Sequence, residues 1–419
     1  MSNTAEVIIV GGGVTGLCTA IQLAWRGVKR IVVLDRHYVG AGQSGRAAGI
    51  VRALVGHRDT SRWQLESIRF LSELPQRHNV DVTVNKTGYL LLVHAEETQL
   101  MQNAIESCIA AGGDAGCIDR AQALQLQPGI GGDESTSYAY ESNAIHVDPM
   151  SVTQALAGIA REAGVQIIEG CEVKEILVKA GSVTGVEIAE GPFHAPTVMI
   201  ALAAWAAALF RQLGIELPIQ SHRAQMTFFH TPLASEHRVT RIVSDARTTL
   251  YLRPEGQRQM FVGWREGDLI SRLEDCAAVD PNHYQQTADF ANVAAMHQRL
   301  SQTLPFMAEG FIHRTYACAY DYSPDGMPIL DRIDSAAGLY FAAGFSGGGF
   351  SLSPFVGRAM AQFIHEGQRP HEIEILSLRR FAEGRPIQWS NAGKCRDISA
   401  QTKKAPLGSD PRASTLNSN

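Results

Sequence analysis

The segment from Glu6 to Asp35 constrains the chain more than any other stretch. Glu6-Val-Ile-Ile-Val10 is a continuous apolar run of the kind a strand buried on both faces shows. It leads directly into Gly11-Gly-Gly13-Val14-Thr15-Gly16, and Leu17–Trp25 then reads as a helix stopped near Gly27. A second apolar run, Arg30-Ile-Val-Val-Leu34, ends in Asp35. Strand, glycine turn, helix, strand and acid follow one another in the order a dinucleotide site requires. Gly11 permits the tight turn, Gly13 lets the backbone approach a pyrophosphate, and Gly16 lets helix and strand pack closely. The amides at the helix start, Val14 among them, face the phosphates, where the helix dipole favours negative charge. Asp35 lies about 20 residues beyond the turn, where a carboxylate accepts bonds from both ribose hydroxyls and disfavours a 2′-phosphate. The ligand is therefore NAD or FAD rather than NADP.

The remainder of the chain narrows the class. Its 419 residues exceed what one compact domain usually holds, so two domains are expected. With 45% hydrophobic and 19% charged residues, a largely disordered chain is excluded. The longest apolar run, Val198–Phe210, is too short to cross a bilayer and is ended by Arg211, so no membrane span is expected. The N-terminus lacks a basic segment followed by an apolar stretch and a cleavage site, which makes a cytoplasmic location the expectation. A net charge of −5 without a long basic run gives no reason to expect nucleic acid as a partner. Seven scattered cysteines, an odd number with no CxxC pair, argue against a disulfide scaffold or a zinc site.

A second glycine-rich unit stands near the far end. Gly338-Leu-Tyr-Phe-Ala-Ala343 reads as a strand, Gly344-Phe-Ser-Gly-Gly-Gly349 follows, and Pro354–Glu366 has helical spacing of its apolar residues. An NAD dehydrogenase usually keeps one contiguous dinucleotide domain. Two strand–glycine–helix units so far apart suggest one large cofactor touched at both ends of the sequence, which favours FAD. The plainer alternative is a glycine turn that only ends a strand.

Four segments together resemble the FAD-dependent amine oxidoreductases of the D-amino acid oxidase superfamily, in particular the sarcosine and dimethylglycine oxidase branch. They are the N-terminal glycine turn with Asp35; Gly42-Gln-Ser-Gly-Arg-Ala-Ala-Gly-Ile-Val-Arg52; Val147-Asp-Pro-Met-Ser-Val152 opening a helix; and Ser323-Pro-Asp-Gly-Met-Pro328 with the Gly344–Phe350 loop. Ser377-Leu-Arg-Arg-Phe381 resembles the family's closing segment. The resemblance implies an α/β (α+β overall) fold in which two domains interleave. A Rossmann-like FAD domain of glutathione-reductase type would take residues 1–80, 145–216 and 315–370. An antiparallel-sheet substrate domain would take 81–144 and 217–314, leaving 371–419 as a C-terminal segment that is mobile after about 390. Strand-like stretches fit the substrate domain: Gly88–Val93, Gln225–Phe229, Thr249–Leu252 and Gln259–Gly263.

The same resemblance implies oxidation of a small amine of amino-acid type, with hydride leaving to flavin N5 and electrons passing to O2 or another acceptor. Arg52 matches the arginine that pairs with the substrate carboxylate, and a planar guanidinium suits that task. Tyr251 and Tyr320 join it as candidate catalytic side chains. The family's second carboxylate anchor, a lysine, is Ser351 here. Cys318, in Cys-Ala-Tyr-Asp-Tyr-Ser-Pro-Asp325, resembles a cysteine that links covalently to the flavin, although a buried free cysteine is also a common packing residue. The histidine used for linkage in dimethylglycine dehydrogenases is Arg46, and Tyr320 stands where glycine and D-amino acid oxidases carry an arginine. The oxygen-activating lysine of sarcosine oxidases falls on Met260 or Phe261, with Arg265 a few residues on. The competing readings are a D-amino acid or glycine-type dehydrogenase, an FAD monooxygenase, and a non-catalytic flavin-fold subunit.

Overall fold

The computed structural model describes residues 3–264 and 278–387. Strand β1 (Val7–Val10) is buried at every position because both of its faces are covered. Ile9 and Val7 pack among helices, including α1 (Val14–Trp25) and the late helix Gly349–Glu366. Ile8 and Val10 pack on the other side against Ile176, Val186 and Phe193 of a three-stranded antiparallel sheet. This period-two division places β1 at the centre of an α/β layer structure. Its six-stranded sheet runs in the order Ile329–Arg332, Leu339–Ala343, Thr197–Ile200, β1, β2 (Ile31–Leu34) and Gln166–Ile168. All neighbours are parallel except Ile329–Arg332, which runs antiparallel to Leu339–Ala343.

A second, eight-stranded sheet is antiparallel apart from one parallel pairing of Ile242–Asp245 with Tyr89–His94. It draws its strands from residues 89–141, 220–264 and 311–322, so the two sheets alternate along the chain. Here too the two faces differ. Leu90, Leu92, Val243, Leu252 and Val262 pack under the helix Phe290–Thr303. The alternate residues, Tyr89, Ile242, Ser244 and Tyr251, face the space between the sheet and the glycine turns. No helix among the described residues is long and apolar enough to cross a membrane.

The late helix begins at Gly349, five positions before the Pro354 start that the sequence pattern suggests. Glycine and serine are weak helix formers, so the pattern underrates this first turn. Packing on α1 fixes it instead: the Thr15 and Ser353 hydroxyls are 2.7 Å apart, and a Cβ built on Gly357 would lie 2.4 Å from Cys18 Cβ. The tail beyond 390 and Arg265 lie outside the described residues.

Candidate active site

The three glycines of the N-terminal turn are required for separate reasons. Gly11 has φ +114°, and a Cβ there would meet the Ala201 carbonyl at 2.4 Å. At Gly16 a Cβ would lie 2.1 Å from the Gly11 carbonyl, so only glycine lets α1 cross the end of β1. Gly13 is the N-cap of α1 and carries no capping side chain. A Cβ at Gly13 would project towards Ser44 Oγ, 2.8 Å away, and the same hydroxyl accepts from the Val14 amide at 2.9 Å. Asp35 closes the unit, its Oδ2 accepting from the Gly12 amide at 2.8 Å and its Oδ1 from the His37 amide at 2.9 Å. With no acid in the first turn of α1, the helix start presents positive potential to an anion.

The late glycine loop is tied to the strand Phe311–Tyr322. Asp321 Oδ2 accepts from the amides of Gly344 (2.6 Å) and Phe345 (3.2 Å), and the Ser346 amide donates to the Asp321 carbonyl at 2.7 Å. Burial pushes the Asp321 carboxyl up to about 6 against these bonds. Ser346 and Gly347 both have positive φ, and a Cβ on Gly347 would come within 3.2 Å of the Tyr320 ring. Next to this loop the Ser323-Pro-Asp-Gly turn is locked by a buried ion pair: Arg380 donates to Asp325 at 2.7 and 2.9 Å and to the Met327 carbonyl at 2.9 Å. Two of the sequence's recognisable segments, the turn and the closing segment, thus form one unit.

One cavity of about 970 Å³ connects all of these features, large enough for a dinucleotide together with a small ligand. Gly11, Gly13, Val14, Thr15 and Asp35 line one end. That end is rimmed by a junction of three segments: Asn282 Oδ1 accepts from Arg36 and from Trp205 Nε1, both at 2.8 Å, and the Arg36 guanidinium lies 4.7 Å from the Trp205 ring centre. Arg46 and the late glycine loop line the middle. Arg52, Gln64, Tyr89, Ser244, Tyr251, Tyr320 and Ser351 line the cavity as well. The cradle at Gly13, the anion-facing helix start and the terminal acid fit FAD.

Arg52 is 8% exposed, and its guanidinium sits 4.7 Å from the Tyr89 ring centre and donates to the Leu54 carbonyl. The two amides that follow it, Ala53 and Leu54, each donate at 2.8 Å to the fully buried Glu141 carboxylate. Ser351 donates to the Gly348 carbonyl at 3.1 Å and accepts from Gln64 Nε2 at 2.9 Å, so a neutral pair occupies this place. Burial raises the Tyr320 phenol well above its usual range, which keeps it neutral. Tyr251 rests on Met226, with its hydroxyl 3.8 Å from the sulfur.

Cys318 is not among the residues lining the cavity. It packs with Met226, Phe228 and Phe261 beside Tyr320, which shares its face of the strand Phe311–Tyr322, and burial pushes its thiol up to about 12. Met260 faces the core under the helix Phe290–Thr303, and Phe261 belongs to the cluster around Cys318. Sequence reading missed Ser44, Gln64, Glu141 and Trp205. Ser44 lies inside the Gly42–Arg52 segment and could have been found there. The others carry no local signal, because their roles depend on strand register and helix packing.

A sequence profile of the DAO family, described as FAD dependent oxidoreductase, matches residues 6–363. The sarcosine oxidase subunit beta of Arthrobacter sp is 27% identical, over 92% of this chain and 93% of its own length. The glycine oxidase of Geobacillus kaustophilus (strain HTA426) is 23% identical, over 91% of this chain and 98% of its own. Among solved structures, L-proline dehydrogenase from P. horikoshii shares the fold with a TM-score of 0.83 at 24% identity, covering 92% of this chain and 100% of that one. Glycine oxidase from Geobacillus kaustophilus does so with a TM-score of 0.76 at 22% identity, covering 90% and 99%. With the profile spanning most of the chain, over a cavity whose glycine turns and terminal acid suit a dinucleotide, this chain belongs to the DAO family of FAD-dependent oxidoreductases.

Proposed function

We propose that the chain oxidises a secondary or tertiary amine of amino-acid type, an N-methyl amino acid or a close analogue, at the C–N bond. The observation that carries this reading is Arg52, a buried guanidinium that lines the cavity and is stacked on Tyr89. A planar cation there suits bidentate pairing with a carboxylate. Bound FAD supplies a hydride acceptor at N5. The protein's part is then to bind, orient and exclude water. In this reading Arg52 fixes the carboxylate, while Tyr251 and Tyr320 wall the amine with neutral phenols. The pair Gln64–Ser351 adds hydrogen-bonding capacity without a second cation, which leaves room for a substrate larger than the smallest N-methyl amino acid.

The apolar pair Met260 and Phe261, where the resemblance leads to a lysine, favours an electron acceptor other than O2. The test is anaerobic mixing of the yellow protein with an N-methyl amino acid, followed by admission of oxygen. Bleaching of the flavin bands with slow recovery in air is expected. No bleaching by any N-methyl or N,N-dimethyl amino acid in a panel overturns the amine reading, and rapid recovery in air overturns the choice of acceptor. Arg52→Lys should raise KM about tenfold, roughly 1.4 kcal/mol of lost carboxylate binding, with FAD retained. Unchanged KM in both Arg52→Lys and Arg52→Ala removes the residue from the site.

A further inference from the structure

We infer that Glu141 is a positioning residue that aims Arg52 into the cavity, an inference that rests on the carboxylate-binding role proposed for Arg52. Glu141 is fully buried on the strand Thr136–Glu141, which belongs to the eight-stranded sheet, whereas Arg52 directly follows the short strand Ile50–Val51 of a separate three-stranded sheet. The two carboxylate oxygens divide their work: Oε1 accepts from the Ala53 amide and Oε2 from the Leu54 amide, each at 2.8 Å. The Leu54 carbonyl in turn accepts from the Arg52 guanidinium. Tyr89, the ring under that guanidinium, is the register partner of Glu141 on the neighbouring strand. The buried carboxylate thus holds the backbone that follows Arg52, and its residue stands directly opposite the one that carries the stacking ring. Burying a carboxylate is costly, and two amide bonds offset part of that cost. An apolar residue would leave the Ala53 and Leu54 amides buried without an acceptor, so the carboxylate is what holds the backbone that follows Arg52 in this conformation.

The groups that bear on Glu141 are Arg52 on the loop, Asp114 ahead of the strand Ala115–Ile118, and the Cys108 thiol on the helix Thr98–Ala110. Burial dominates and pushes the Glu141 carboxyl up to about 7. Cys108, pushed up to about 12, stays neutral through that window. Below about 7 one oxygen becomes an O–H and stops accepting from its amide, so carboxylate affinity should fall as the pH drops.

The experiment titrates the FAD-loaded protein with furan-2-carboxylate, a carboxylate that has no amine and stays ionised from about pH 5.5 to about pH 9. Perturbation of the flavin spectrum reports binding. Glu141→Gln should weaken this ligand about tenfold with full FAD content, and raise KM for an amine substrate while kcat holds. The wild-type affinity should fall below about pH 7, and the profile should be flat in Glu141→Gln but retained in Asp114→Asn. In an Arg52→Ala background, Glu141→Gln should add nothing, because the two act as one unit. Equal weakening in both backgrounds, or a pH inflection that survives in Glu141→Gln, overturns the inference. If Arg52→Ala weakens the ligand and Glu141→Gln does not, only the inference falls. If Arg52→Ala itself has no effect, or the wild type does not bind the ligand, the carboxylate reading falls first and the inference with it.

Discussion

Gly13 does its work by what it leaves out. The space its missing side chain would fill lies towards Ser44 Oγ at the start of α1, where a dinucleotide turn of this pattern would bring a pyrophosphate. Gly13→Val should therefore weaken FAD binding about a hundredfold, ~3 kcal/mol, and yield colourless protein after dialysis. Full yellow colour from that variant would refute the placement. Cys318 is the opposite case, a residue whose chemistry is muted by what surrounds it. A thioether to the flavin needs a thiolate, and a buried thiol pushed up to about 12 is almost wholly protonated at neutral pH. Acid precipitation is expected to leave the flavin in the supernatant, and Cys318→Ala should not alter that. Flavin that stays in the wild-type pellet and leaves it in Cys318→Ala would show the tether.

At the level of elements, the packing of α1 against the late helix depends on Gly357, where a Cβ would also come within 2.7 Å of the Cys18 backbone. Gly357→Leu should destabilise the fold by about 3 kcal/mol through overpacking, and loosen FAD because the anion-facing end of α1 moves with the helix. Gly158 offers the contrast: it lies in the helix Pro149–Glu162, and a Cβ added there would meet nothing within 4 Å. Gly158→Ala should stabilise by roughly 0.5–1 kcal/mol, and urea unfolding of the two variants reads both effects. The loop held by Asp321 gives a pH signature. Its folded pKa of about 6 lies above the usual carboxylate value, so the native state holds the proton more tightly than the unfolded one. Its contribution to stability is therefore fully present below the unfolded value and is lost as pH rises towards about 6. Asp321→Asn should flatten the stability profile in that window.

Across the whole molecule, the sequence reads well where chemistry forces a local pattern. The steric demands on Gly11 and Gly16 and the placing of Asp35 beside the turn were legible because they fall within one short unit. The two sheets were expected from resemblance, and their period-two faces match the alternation seen in Tyr89–His94 and Leu250–Glu255. Glu141 was invisible because its partners lie 87 and 88 residues away and the contact exists only once the segment after Ile50–Val51 packs on the eight-stranded sheet. Gln64 was hidden similarly, its partner Ser351 being 287 residues distant. Arg380 was recognised as part of a closing segment, but nothing local says that it neutralises Asp325. Asp325→Ala would leave that guanidinium buried and uncompensated, and should cost about 3–5 kcal/mol, measurable as a large fall in the denaturant midpoint.

That ion pair also sets an order of events during synthesis. Asp325 emerges from the ribosome 55 residues ahead of the arginine that neutralises it, and the strand Leu339–Ala343 and the whole of the late helix are translated in between. At about 5–20 residues per second that interval lasts several seconds, in which the Ser323–Pro328 turn has no guanidinium to close on. The turn is bonded to the neighbouring glycine loop, the Ser323 amide donating to Ser346 Oγ at 3.2 Å, so this wall of the cavity is expected to settle only when the closing segment arrives. Nascent chains stalled before Arg380 should stay protease-sensitive and fail to retain FAD, whereas chains stalled far enough beyond it to clear the exit tunnel should resist protease and hold the cofactor.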